Sequence, residues 1–221
     1  MSKIHVYFMP GLAASSSIFE RINLPKDIFE IHLLEWFQPE NSETLTIYAM
    51  QMAKKVVHDN AVLLGVSFGG ILVQEMAQFL NLRKLIIVSS VKSNAELPNR
   101  LKFAKITKAY KFLPTSLLQD GEKLVKFAFG DAIKQRVKLY EKYLNLRNKE
   151  YLDWAIEQVI CWDRVIIDPS VIHIHGDLDE VFPAKNINTF INVKNGTHLM
   201  ILNRFRWFNQ NLPKIILGEA L

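Results

Sequence analysis

Six short runs rich in β-branched and large apolar residues recur along the chain: KIHVYF (3–8), FEIHLLEW (29–36), AVLLGVS (61–67), KLIIVSS (84–90), VIHIHG (171–176) and TFINVK (189–194). Most are followed by loop residues and then by apolar residues at helical spacing. Parallel strands need crossover connections, which place helices over both faces of the sheet and so demand apolar side chains on both. The pattern predicts an α/β fold, a mainly parallel six-stranded sheet with helices on both faces. The 221 residues, 49% apolar and 22% charged, are enough to bury one core.

One stretch breaks the alternation. Between the fourth and fifth runs, residues 91–160 show only helical periodicity, with Ile133, Val137, Tyr140 and Leu144 in one segment and Leu152, Ala155, Ile156 and Val159 in another. Pro98 in SNAELPNR marks the entry and Pro169 in IIDPS the return. We therefore expect a core built from 1–90 and 161–221, with a helical cap, 91–160, inserted in it. The cap also holds the basic excess. It has 14 Lys and Arg against 8 Asp and Glu, while the rest of the chain has 13 and 14, for a net charge of +5.

Chemistry enters at LLGVSFGGILVQEMA (63–77). Ser67 lies between a strand pattern and a helix pattern, with Gly65 and Gly69 at two residues on either side. A serine on such a sharp turn has a strained backbone that lifts its hydroxyl over the sheet, and side chains at the flanking positions would strike the neighbouring strand or helix. A serine hydroxyl attacks well only when a base removes its proton, and that base needs an orienting carboxylate. Downstream, VIHIHGDLDEVFP supplies an acidic loop after a strand, and TFINVKNGTHLMIL a second strand followed by His198. Asp177, Asp179 and Glu180 all compete for the acid role on spacing alone.

With this order of Ser, acid and His, the chain resembles the α/β-hydrolase superfamily along nearly its whole length. The resemblance implies a compact member lacking the family's two leading strands, and a sheet of spatial order 2-1-3-4-5-6. It implies Asp179 as the acid, from the register of Gly176, Asp179 and Pro183, and His198, after Gly196 and Thr197, as the base. It implies an oxyanion hole from the backbone N–H groups of Leu12 and Phe68. Relatives often carry His-Gly before the first of these donors, where this chain has Pro10-Gly11. The implied activity is that of a serine hydrolase cleaving carboxylic esters or thioesters through an acyl-enzyme. A C–C bond hydrolase or lyase on the same three residues, and a ligand receptor without turnover, remain alternatives. Epoxide opening and halide removal use an aspartate nucleophile and do not suit Ser67.

The remaining features bound the reading. The aromatics Phe103, Tyr110, Phe112, Phe127, Phe129, Tyr140, Tyr143, Trp154 and Trp162 are candidates for an acyl pocket or for cap core. Lys102, Lys105, Lys108 and Lys111 read as one basic helix face, either solvated or attracting an anionic thioester. We expect no nucleic-acid partner, since no motif interleaves these bases with stacking aromatics. No cofactor or metal is expected: His5, His32, His58, His173 and His175 each read as separate strand or helix residues, and Cys161 as an apolar helix residue. The apolar runs are far shorter than the roughly 18 residues of a membrane span. A first strand that starts almost at once, with a single cysteine, suggests a cytoplasmic protein acting on a small acyl substrate.

Overall fold

The computed structural model describes residues 2–120, 123 and 142–220. All six expected strands form: β1 (Ile4–Met9), β2 (Phe29–Leu33), β3 (Ala61–Val66), β4 (Leu82–Val88), β5 (Ile172–Gly176) and β6 (Ile191–Val193). They make one sheet of order β2-β1-β3-β4-β5-β6 in which every neighbouring pair is parallel. This is the expected order.

Alternation along the strands separates two cores. Tyr7, Met9, Leu63, Leu85 and Ile87 face helices α1 (Leu45–Ala53) and α2 (Phe68–Met76), and the same cluster includes Tyr151, Leu152 and Trp154. Val6, Phe8, Leu64, Val66, Ile86 and Ile174 face the other way, onto Phe19, Phe208, Leu212 and Ile216. Each central strand is therefore apolar at consecutive positions, because successive side chains enter different cores.

The segment after β4 opens with a 3₁₀ turn, Asn94–Glu96, followed by α3 (Asn99–Thr107) and two more 3₁₀ turns, Ala109–Phe112 and Thr115–Gln119. It ends with α4 (Lys149–Cys161), capped by Asn148, whose side chain accepts from the Tyr151 N–H. Ile133, Val137, Tyr140, Phe127 and Phe129 lie outside the described residues. Leu144 is not helical; it forms an isolated bridge with Ala14. The four lysines do not form one helix face, which corrects the sequence expectation. α3 stops at Thr107, Lys108 turns left-handed at φ 56°, and Lys111 follows in a separate turn. Two of the ammonium groups hold backbone carbonyls: Lys102 that of Ala95 at 2.6 Å, and Lys105 that of Cys161 at 3.0 Å. The chain closes with α5 (Met200–Asn203) and α6 (Phe205–Leu217). Among the described residues no helix is long and apolar enough to cross a membrane.

Candidate active site

Ser67 sits past the carboxyl end of β3, as the residue before α2, with φ 54° and ψ −120°. Such a conformation is costly for a residue with a Cβ and persists only where the surroundings enforce it. Here the enforcement is visible. The Ser67 N–H donates to the Val88 carbonyl at 2.9 Å, and its own carbonyl accepts from the Gly70 N–H and the Ser90 hydroxyl, both at 2.8 Å. The glycines permit the crowding. A Cβ on Gly65 would lie 2.2 Å from the Gly69 carbonyl oxygen, and one on Gly69 would lie 2.3 Å from that of Pro10.

His198 and Asp179 arrive from the loops after β6 and β5. The Ser67 hydroxyl is 2.9 Å from His198 Nε2, and His198 Nδ1 is 2.9 Å from Asp179 Oδ2. Ser67 Oγ–H donating to Nε2 and Nδ1–H donating to the carboxylate satisfy all three groups. The rival acids are elsewhere: Asp177 and Glu180 are exposed, whereas Asp179 is 4% exposed. Its Oδ1 also accepts from the Val181 and Phe182 N–H groups, each at 2.9 Å. Burial by itself would raise the Asp179 pKa. The positive charge that His198 can carry, its hydrogen bond, and smaller contributions from His175 and the Phe182 N–H outweigh burial and hold the carboxyl below its ordinary value.

Sequence reading missed the support behind this acid. His175, fully buried on β5, has Nε2 3.6 Å from Asp179 Oδ2 and donates from that nitrogen to the Phe182 carbonyl at 2.9 Å. Its Nδ1 then accepts from His173 Nε2–H at 3.1 Å. Burial pushes the pKa of His175 down, although Asp179 and the Phe182 bond pull the other way. The signal was present in the HIHG spacing, which puts both rings on one strand face, but pairing with a loop four residues later is a tertiary fact.

Leu12 and Phe68 line the same cavity as Ser67 and His198. Phe68 is the first residue of α2, so its N–H has no acceptor within the helix. The Gly11 carbonyl accepts from the Trp36 indole N–H at 2.7 Å. In a trans peptide the next N–H points the opposite way, so this bond turns Leu12 N–H away from Trp36. The loop is braced from the connection between β4 and β5 as well: Ala13 N–H donates to Tyr151 Oη at 3.1 Å, and Ser15 N–H to the Tyr143 carbonyl at 2.7 Å.

The cavity measures about 390 Å³ and is walled mainly by apolar side chains, among them Leu101, Ala104, Leu113, Ile156 and Ile160. Of the candidate aromatics, Tyr110 and Tyr143 line it. Trp154 and Trp162 are buried in the core, and Phe103 and Phe112 point outward, 66% and 85% exposed. None of the four lysines is among the lining residues. Cys161 is half-buried, its thiol against Tyr110 Oη at 3.4 Å.

No protein-family model matches the sequence, and no curated protein does. The three-dimensional likeness is extensive. The chain is similar to an esterase from Exiguobacterium antarcticum, with a TM-score of 0.69 at 16% identity over 98% of this chain and 92% of that one. It is similar to the enol-lactonase from Burkholderia xenovorans LB400, with a TM-score of 0.69 at 13% identity over 99% and 93%. A bromoperoxidase from Bacillus anthracis gives a TM-score of 0.67 at 15% identity over 99% and 93%. With its all-parallel sheet in this order, the chain has the α/β-hydrolase fold.

Proposed function

We propose that the protein is a serine hydrolase that cleaves carboxylic esters or thioesters through an acyl-enzyme, with Ser67 as nucleophile, His198 as base and Asp179 as the orienting acid. The observation that carries this reading is the unbroken run of hydrogen bonds from Ser67 Oγ through His198 to Asp179, opening into an apolar cavity. His198 takes the hydroxyl proton as Ser67 attacks the acyl carbonyl. The oxyanion is held by the N–H groups of Leu12 and Phe68. His198 then passes its proton to the leaving alcohol or thiol, and water, deprotonated by the same ring, releases the acid. Asp179 keeps Nδ1 protonated and stabilises the imidazolium.

The assignment of 1–90 and 161–221 to the core and 91–160 to a cap is part of the proposal. It is supported by the wall of the cavity that Leu101, Ala104, Leu113 and Ile156 supply. That wall favours an apolar acyl group, and of the basic residues of α3 and the turn after it only Arg100, none of the four lysines, lines the cavity. A cytoplasmic location rests on the sequence reading alone. The test is labelling with a fluorophosphonate, followed by turnover on a panel of esters and thioesters. The expected result is one adduct on the Ser67 peptide and hydrolysis of neutral esters with apolar acyl chains; no adduct and no turnover would sink the proposal.

A further inference from the structure

Away from Ser67, the structure gathers three histidines that the sequence scatters over more than fifty positions. β1 and β2 pair in parallel with His5 opposite Glu30 and Tyr7 opposite His32, so these four side chains share one face of the sheet's edge. His58 joins them from the connection between α1 and β3. His5 Nδ1 and His32 Nε2 are 3.0 Å apart, the His5 and His58 rings stack with centroids 3.5 Å apart, and one ligand nitrogen from each ring lies within 4.8 Å of the others. Glu30 borders the same two nitrogens, with carboxylate oxygens 4.0 Å from His5 Nδ1 and 3.9 Å from His32 Nε2. All three rings are half-buried and reachable from solvent.

From this juxtaposition we infer that His5, His32 and His58, with Glu30 as fourth donor, bind one divalent late first-row transition-metal ion, of which Zn²⁺ suits the donor set best. Imidazole and carboxylate are the ligands that Zn²⁺ accepts in four-coordinate sites, and Ca²⁺ or Mg²⁺ would demand more oxygen. Nitrogens bound to one tetrahedral zinc at 2.0–2.1 Å stand about 3.3 Å from each other. The His5–His32 pair, at 3.0 Å, is already near that spacing. A metal lies in the plane of each ring it binds, so His58 must turn out of its stack on His5. His58 lies on the bend before β3, outside the strands, so its turn requires no strand to move.

Behind the ligands stands a partner of the kind metal-bound histidines use. Tyr7 Oη is 2.6 Å from His58 Nδ1 and also accepts from the Val57 N–H at 3.2 Å. In the tautomer with a proton on Nδ1, His58 donates to Tyr7 and presents a bare Nε2 to the ion. The bound metal would tie edge strand β2 and the α1–β3 connection to β1. The site lies towards the amino end of β1, whereas Ser67 follows the carboxyl end of β3, so the ion has a structural role and no part in acyl transfer.

Metal-free full-length protein titrated with ZnCl₂ by calorimetry tests this, with CoCl₂ as a spectroscopic probe. We expect one saturable Zn²⁺ abolished by His58→Ala and by His32→Ala, and visible Co²⁺ bands of tetrahedral intensity. Tyr7→Phe should weaken binding about 10–100-fold. Zinc at about a hundred times its dissociation constant should raise Tm by about 5–10 °C in the parent and in neither alanine variant. Far-UV circular dichroism checks that each variant is folded; should His32→Ala fail that check, His58→Ala, on the bend, decides. Absence of saturable binding at micromolar zinc, or unchanged affinity in a folded His58→Ala, overturns the inference and leaves a hydrogen-bonded histidine cluster.

Discussion

Gly176 and Gly196 touch backbone to backbone: a Cβ on Gly176 would lie 2.2 Å from the Gly196 carbonyl oxygen, and the Leu178 N–H donates to that same oxygen at 2.9 Å. The loop bearing Asp179 is thereby locked against the loop bearing His198. Gly176→Ala must force the two apart. We expect a loss of about 1–3 kcal/mol in stability, the usual cost of overpacking. Turnover should fall more than in Asp177→Asn, because the acid and base separate. Denaturant unfolding together with kcat on one neutral ester checks both; full turnover in a destabilised Gly176→Ala would show that the loops are not coupled.

The backbone of Ser67 stores strain at φ 54°. Ser67→Ala should abolish phosphonate labelling and leave Tm nearly unchanged, since the Cβ that causes the strain remains. Ser67→Gly should be equally inactive yet more stable by about 1 kcal/mol, the strain relieved less the extra freedom of glycine in the unfolded chain. Thermal melts of the two variants side by side give the comparison. Labelling that survives in either variant assigns the nucleophile elsewhere.

Asp179 has a pH signature. Its carboxyl is held below the ordinary value in the fold. It therefore contributes stability that is present above the unfolded pKa of about 3.9 and is lost as pH falls through the lower folded value. The stability gap between the parent and Asp179→Asn should narrow as pH drops below about 4. At neutral pH, Asp179→Asn should lose turnover by up to about 10⁴, the loss known for a well-studied triad in which the wrong tautomer is left. Asp177→Asn should lose little. Equal losses in the two variants would undo the choice of acid.

The cavity wall makes a prediction about acyl length. Ala104 lines the pocket from α3, and a tryptophan there fills space that a longer chain needs. Ala104→Trp should spare an acetyl ester and depress kcat/KM for an octanoyl ester at least tenfold, about 1.4 kcal/mol of lost transition-state binding. Changing Lys108 and Lys111 to Gln should leave neutral esters unaffected at all salt concentrations. A fall confined to anionic substrates at low salt would instead revive charge steering.

Periodicity and turn chemistry were enough to read the sheet. The central strands are short apolar runs buried on both faces, most fully in β3, and the order of the strands follows from the family resemblance that Ser67, Asp179 and His198 carry. The glycines around Ser67 were legible for the same reason: the requirement for no side chain is local, and the residue two positions away is the one it protects.

What only the tertiary structure decided are the relations between segments distant in sequence. Asp179 stands apart from Asp177 and Glu180 because burial against His198 and the N–H groups of Val181 and Phe182 selects one carboxylate from an acidic loop, and no local pattern encodes burial. The four lysines read as one face only while α3 is assumed to run on past Thr107; a left-handed residue, whose φ is not written in side-chain periodicity, splits them. His5, His32 and His58 look unrelated along the chain. A parallel register, set by the burial of Val6 and Phe8 on the opposite face, brings the first two together, and the return of the chain into β3 adds the third.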